Sequence, residues 1–548
     1  MTRPATTFDE LVAADGTEGA REQPGPDPVG TRIDAWWGRM LRTPLRQRLW
    51  YWGGPVAVTL LAAVLRLWRL GDPRSLVFDE TFYVKDAYTM MRLGYEGSWP
   101  AGADASFTTG HVDVYTANGS FIAHPPLGKW IISLGFRLFG ADSTVGWRIS
   151  TAVVGILAVF VLVLIARMLL RSTVLATIAG FLFAIDGHAI VMSRTSLLDN
   201  FVMIFCLLGF WAVLLDRSQS ARRLETWLVR REKSGRSIDW GPAIWARPWL
   251  ISAGLLFGLA SAVKWSGVYF LAAFAVYTLL VDALARRRAG IAFWSSGTVF
   301  KQGPVTFLLT MPIALAAYLT SWTGWFVTRG GYYRDWADLP GNAVTGTFSW
   351  IPHVVQSFWH YQQAIYQFNI NEHTPHPYQA NPLTWLFLVR PTAFYYAGQQ
   401  NGQAGCASAS GCAEYVTSIA NPVLWWAATA AILYLVYRLA RYRQWQVGLI
   451  LMGMLAGYVP WLLYTQRTVF QFYAIVFEPY MILGLVVVIG LILGGRGDPS
   501  WRRLSGIRLT AVFLVLVVLV SAFFYPVWTG MRVPTFFAQL HYWLPGWR

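Results

Sequence analysis

Long apolar runs alternate with short polar stretches along most of this chain. An α-helix needs about 20 consecutive apolar residues to cross a bilayer core. Runs near or above that length cover 53–70, 145–170, 174–191, 197–215, 249–263, 267–284, 305–327, 422–439, 447–464, 472–493 and 509–528. They predict an all-α integral membrane protein with about eleven spans. The fifth run is short and nearly fuses with the sixth around Lys264. Two polar stretches between spans are long, 71–142 and 328–420. The first contains HPPLGKWIISLGFRLFG, from His124 to Gly140, which is amphipathic and too short to span, so it reads as a helix lying in the membrane interface. The second is rich in Trp, Tyr, His, Asn and Pro, and its aromatic content argues for order and function. The chain divides into a polar segment 1–48, a transmembrane module 49–326 that includes the outer loop 71–142, a loop 327–420 and a C-terminal helical part 421–548. No internal repeat is visible, which leaves an inverted-repeat transporter without support.

Composition agrees with lipid-facing helices. Of 548 residues 55% are hydrophobic and 13% charged, against about a quarter charged in a soluble protein. The formal charge of +16 comes from short basic clusters between the runs, not from one basic domain, so nucleic acid is excluded as a partner. With the N-terminus in the cytosol, Arg39, Arg42, Arg46 and Arg48 lie inside. Arg167/Arg171, the cluster from Arg217 to Arg236, Arg286–Arg288, Arg438/Arg441/Arg443 and Arg496/Arg502/Arg503 then fall on that same side. An odd number of spans puts the C-terminus outside. Segment 1–48 lacks an apolar stretch near Met1 and is not expected to be a cleaved signal peptide; its first half is expected to be disordered. Cys206 lies in an apolar run and reads as packing, while Cys406 and Cys412 share one loop, where spacing leaves both a disulfide and free thiols open.

The most informative stretch is VFDETFYVKDAY, just after the first span. Asp79 and Glu80 there could serve as a base at a low-dielectric boundary, or simply favour a helix N-terminus. Arg66, Arg148, Arg194, Lys264 and Arg467 sit near the outer ends of spans, where charge is costly without a partner or a function. Each could hold a phosphate, snorkel, or pair with an acid. His124 could contact a sugar or peptide, or stiffen the loop together with Pro125 and Pro126. His111 and Asp113 are a weak metal pair, better read as solvated loop, and His373 and His376 match no zinc spacing. Asp186, His188 and Asp199 are expected to make structural pairs, Asp199 with Arg194 or else lining a ligand pocket. Glu478 is an intramembrane acid that Arg467 could partner.

Asp79-Glu80 after the first span, HPPLGK in the same loop, SRTSLLD before a later span, and VKWSG together resemble protein O-mannosyltransferases of the bacterial, actinobacterial type. The likeness runs from about Arg66 to the C-terminus, and 328–420 is too short for the β-trefoil module that eukaryotic members insert. The resemblance implies a GT-C glycosyltransferase fold and inverting transfer of mannose from polyprenyl-phosphate mannose to Ser or Thr hydroxyls of unfolded exported segments. It implies Asp79 as general base, Glu80 orienting the base or the acceptor, and a basic cluster for the lipid phosphate, with no metal or other cofactor. The Sec translocon is a candidate partner. An ArnT-like transferase with a glycan or lipid acceptor is the enzymatic alternative, and a lipid or sugar transporter or a translocon scaffold the alternatives of other kinds.

Overall fold

The computed structural model describes residues 31–495 and 497–548. The expected disorder in the first half of segment 1–48, and the place of Arg496 in a basic cluster, lie outside the described residues. Thr31 starts the first helix, α1 (Arg32–Met40), with a reciprocal cap in which its hydroxyl accepts from Asp34 N while the Asp34 carboxylate accepts from Thr31 N. Thr43 and Pro44 open α2 (Pro44–Leu67), the first span. There follow α3 (Glu80–Leu93), α4 (Leu127–Phe139), α5 (Thr144–Leu170), α6 (Thr173–Ile185), α7 (Gly187–Arg194) and α8 (Asp199–Lys233). After them come α9 (Pro248–Val263), α10 (Gly267–Arg288) and α11 (Trp294–Ser321), then α12 (His353–Asn371) in the long loop. The chain ends with α13 (Pro422–Tyr442), α14 (Trp445–Leu463), α15 (Glu478–Leu493) and α16 (Ser500–Thr529).

Among the described residues eight helices are long and apolar enough to cross a membrane, or nine when α6 and α7, bent by 59° at Asp186, count as one broken span. Every predicted run is helical, but the expected eleven spans are not all reached. Helices α9 and α15 have 16 residues each. At 1.5 Å per residue that is about 24 Å, against a hydrocarbon core of about 30 Å. Helix α4 has the 13 residues and the two-sided character expected of it: Lys129, Ile132, Ser133 and Phe136 face the protein, while Leu134, Leu138 and Phe139 are exposed. It lies close on α5 because both meet at glycine, and a Cβ on Gly135 would sit 2.2 Å from the Gly146 carbonyl oxygen.

The all-α expectation misses one element. Strands β1 (Thr392–Gln399) and β2 (Cys412–Ser418) form an antiparallel hairpin, with Thr392 opposite Ser418 and Gln399 opposite Cys412, and β3 (Val533–Pro534) adds to β2. Alternating Tyr, Phe, Val and Thr suit a half-buried strand. Cys406 and Cys412 are joined as a disulfide in this hairpin, and Cys206 is free and buried.

Basic side chains gather at one end of the bundle. Arg503 pairs with Asp34 at 3.0 Å, Arg167 reaches the Tyr51 carbonyl, and Arg247 is held between Asp216 and Asp282. The opposite end carries Asp79, His124, Asp199 and Lys264. Within α8, Asp199 and Asp216 stand about 25 Å apart at helical rise, a membrane's thickness between the two ends.

Candidate active site

The site grows from the first turn of α3. Phe78 adopts φ 47°, a left-handed conformation costly for a bulky residue. Its ring is held among Phe394, Phe470 and Phe472, with centroids 5.1, 5.4 and 5.6 Å away. The turn sends the two adjacent carboxylates opposite ways. Glu80 goes inward and is fully buried. Its oxygens accept from Arg148 Nε and Nη2, both at 2.8 Å, from Ser196 N at 2.8 Å and from Val77 N at 3.0 Å. Asp79 is half-buried and makes no cap with its side chain.

Around Asp79 stand Tyr83, one turn along α3, and Asp199 and Lys264 from the starts of α8 and the end of α9. Lys264 Nζ lies 3.0 and 3.2 Å from the Asp199 oxygens and 3.9 Å from the Tyr473 ring centre. Arg467 donates to Asn369 Oδ1 at 2.9 Å, and its buried Nε has no partner among the described residues. His124 faces Tyr83, ring centroids 6.2 Å apart. Burial pushes the Asp79 carboxyl up to about 6, moderated by the Lys264 cation and a hydrogen bond from Tyr83 and reinforced by Asp199. Burial, then the charges of Lys264, Arg467 and Lys129, hold His124 neutral, well below the usual imidazole range. Beside the cleft, buried Lys129 bridges Asp86 at 3.1 Å and Glu96 at 2.8 Å, locking α4 against α3.

The structure thus brings together Asp79, His124, Asp199, Lys264 and Arg467, and corrects the expectation for three arginines. Arg66 is spent on Ser193 and the Ala184 and Phe183 carbonyls, clamping α2 to the broken span. Arg194 donates to the carbonyls of Arg66, Trp68 and Arg69, the open end of α2. Arg148 donates to Glu80 and to the carbonyls of Pro73 and Ser75, fixing the strand of chain that delivers Asp79. All three are engaged by groups within the fold, so none stands free as Arg467 Nε does among the described residues. Glu80 is likewise a positioning group, with no oxygen left for an acceptor.

Other expectations resolve too. Asp199 pairs with Lys264, not with Arg194. Asp186 caps α7 through His188 N and also accepts from Asn421 N. Glu478 lies 2.9 Å from His188 Nδ1, so Arg467 is not its partner. Asp113 accepts from Tyr88, His373 meets the Gln466 carbonyl and His376 packs on Phe470. Tyr83, Asp86, Lys129, Asn369 and Tyr473 were missed. Asp79, Tyr83 and Asp86 follow an i, i+4, i+7 spacing that puts them on one helix face, a signal that could have found the last two.

Residues 56–230 match the family model described as dolichyl-phosphate-mannose-protein mannosyltransferase, and residues 354–547 match that for the C-terminal four-helix transmembrane region of protein O-mannosyltransferases. The polyprenol-phosphate-mannose–protein mannosyltransferase of Mycobacterium tuberculosis is 33% identical over 503 residues, 90% of this chain and 91% of its own. The chain belongs to the protein O-mannosyltransferase family. The Mycolicibacterium smegmatis and Corynebacterium glutamicum members are 32% and 30% identical, covering 91% and 86% of this chain and 93% and 88% of theirs. The Saccharomyces cerevisiae protein O-mannosyltransferase Pmt1–Pmt2 complex bound to the sugar donor superposes with TM-score 0.68 over 95% of both chains at 15% identity, which shows the shared GT-C fold. Asp79, Glu80, His124, Arg148 and Asp199 fall within the first family match, Asn369, Arg467 and Tyr473 within the second, and Lys264 between them.

Proposed function

We propose that this protein transfers mannose from polyprenyl-phosphate mannose to Ser or Thr hydroxyls of extended segments of exported proteins, at the extracytoplasmic face of the plasma membrane. The observation that carries this is the Asp79 carboxylate, tied within the fold by a hydrogen bond from Tyr83 and set near the Lys264 and Arg467 cations at the membrane end opposite the basic clusters. The acceptor hydroxyl oxygen attacks C1 of mannose from the side of Asp79, which takes the hydroxyl proton. The C1–O bond to phosphate breaks with its electron pair, and the negative charge of the leaving lipid phosphate develops beside Lys264 and Arg467. Attack opposite the leaving group inverts the anomeric centre. Arg467 suits the phosphate because its Nε is unoccupied, and Lys264 adds a point charge tempered by Asp199. One proton and one glycosyl group move, so the scheme needs no metal and no further cofactor. Extended acceptors fit because a folded surface cannot reach a cleft at membrane level; delivery by the Sec translocon would present them in that form.

The test is transfer of radiolabelled mannose from polyprenyl-phosphate mannose to a Ser/Thr-rich peptide by membranes carrying wild-type or Asp79→Asn protein. Labelled peptide with wild type, lost in the variant while the donor still binds, is the expected result. No transfer by folded wild type to varied peptides, with transfer to a glycan or lipid, would move the acceptor class; equal transfer by the variant would remove Asp79 as base.

A further inference from the structure

The 33 residues from Leu339 to Asn371 contain no Asp, Glu, Lys or Arg. A water-exposed segment of that length would carry about eight. Yet this stretch lies outside the spans and leaves Phe348, Trp350, Val355, Trp359 and Tyr366 exposed, Trp350 at 75% and Trp359 at 65%. Helix α12 sorts its side chains onto three faces at about 100° per residue. One face holds Phe358, Tyr361, Ile365 and Asn369 against the protein: Phe358 packs on Trp322 and Phe326, at 5.3 and 4.9 Å, and the Tyr361 hydroxyl accepts from Ile122 N. A second face is polar and made by His353, His360 and Gln367, with His353 2.7 Å from Asp338. The third carries Val355, Trp359 and Tyr366, all exposed. Through Phe358 the helix packs on Trp322 and Phe326, directly after α11, and along that span Leu308, Leu315 and Leu319 are exposed.

We infer that residues 346–371 form a membrane-interface anchor, with Phe348, Trp350, Val355, Trp359 and Tyr366 seated in the lipid surface on the active-site side. The packing of α12 on the end of a membrane span, the missing formal charge and the exposed Trp and Tyr side chains all belong to the level of lipid headgroups. The anchor is wired to the cleft. Asn369, at the last turn of α12, accepts from Arg467 and donates to the Ala123 carbonyl beside His124. Seating α12 in the interface therefore sets the depth of Arg467 and His124 relative to the bilayer, where a lipid-borne phosphate must arrive.

Single cysteines introduced as Trp359→Cys, Tyr366→Cys and, on the polar face, Gln367→Cys can be labelled with an environment-sensitive fluorophore, because Cys206 is buried and Cys406 and Cys412 are bonded. The full chain is reconstituted in nanodiscs of phosphatidylethanolamine and phosphatidylglycerol, with or without lipid spin-labelled near the headgroup. Labels at 359 and 366 should be quenched several-fold more by the spin-labelled lipid than the label at 367, and aqueous iodide should show the reverse order. Iodide quenching at 359 and 366 equal to that at 367 would overturn the anchor. So would shielding from both quenchers, which would mean that another protein surface covers this face.

Discussion

The two ends of the helix bundle each bury a cluster of charge, and the clusters differ in how completely they are paired. At the basic end Arg247, almost fully buried, is gripped by Asp216 at 2.5 and 3.1 Å and by Asp282 at 2.5 Å, while Arg286 beside it donates to the Pro242 carbonyl and Gln302. At the other end Asp79 has a carboxyl driven toward its neutral form, Arg467 has an idle donor, and Lys264 shares Asp199. A closed set of pairs holds α8, α9 and α10 together and has nothing left to offer a ligand. An open set keeps capacity for a substrate's charge, at a cost that only binding and chemistry justify. The same distinction separates neighbours in sequence: Glu80 belongs to the closed kind and Asp79 to the open.

Substitutions can break this comparison. Asp79→Asn should reduce mannose transfer by about 10²–10⁴-fold with donor binding retained, the usual contribution of a general base; a scintillation assay on labelled peptide reads it. Arg247→Ala should cost about 3–5 kcal/mol by stranding two buried acids, seen as a large drop in melting temperature by fluorescence-detected size exclusion. Arg467→Gln should leave melting unchanged and raise the KM for donor by about tenfold, the equivalent of one ordinary charged contact. If Arg467→Gln melts the protein as Arg247→Ala does, the open and closed ends are not different in kind. The pH dependence sharpens the picture. The folded Asp79 carboxyl ionises near 6, above its ordinary value of 3.8, so kcat/KM should fall as pH drops through about 6, and His124, kept neutral, adds no second limb. The same displacement means that the folded state binds more protons than the unfolded between those two pH values, so stability declines as pH rises across them. Asp79→Asn removes that decline, and the smallest effect expected is a melting temperature at pH 7.5 equal to or slightly above wild type.

The apolar runs made every membrane helix legible, because lipid contact imposes a local composition. Their count was less legible: α9 and α15 are apolar but short, and the bend at Asp186 divides one run into α6 and α7. The hairpin of β1 and β2 was hidden in a long loop whose aromatic residues suit a strand as well as a groove. In the site, Asp79, His124 and Lys264 stood out through the motifs around them. Arg66, Arg148 and Arg194 stood out equally, since sequence shows a charge near the membrane but not whether carbonyls within the fold already occupy its donors. Asn369 and Tyr473 had no local pattern at all; each matters only because distant segments fold back on Arg467 and Lys264.

That scatter has a consequence for the protein's own birth. The cleft draws on α3, the loop before α4, the ends of α8, α9 and α12, and the segment just before α15. Ribosomes add about 5–20 residues per second, so roughly 20–80 seconds separate the emergence of Asp79 from that of Tyr473. Through that interval Asp79 lacks the full set of charged and aromatic neighbours that the finished fold places around it. On the proposed mechanism the nascent protein is silent while its own Ser and Thr hydroxyls pass the membrane, and transfer begins only once the segments bearing Arg467 and Tyr473 have joined the fold.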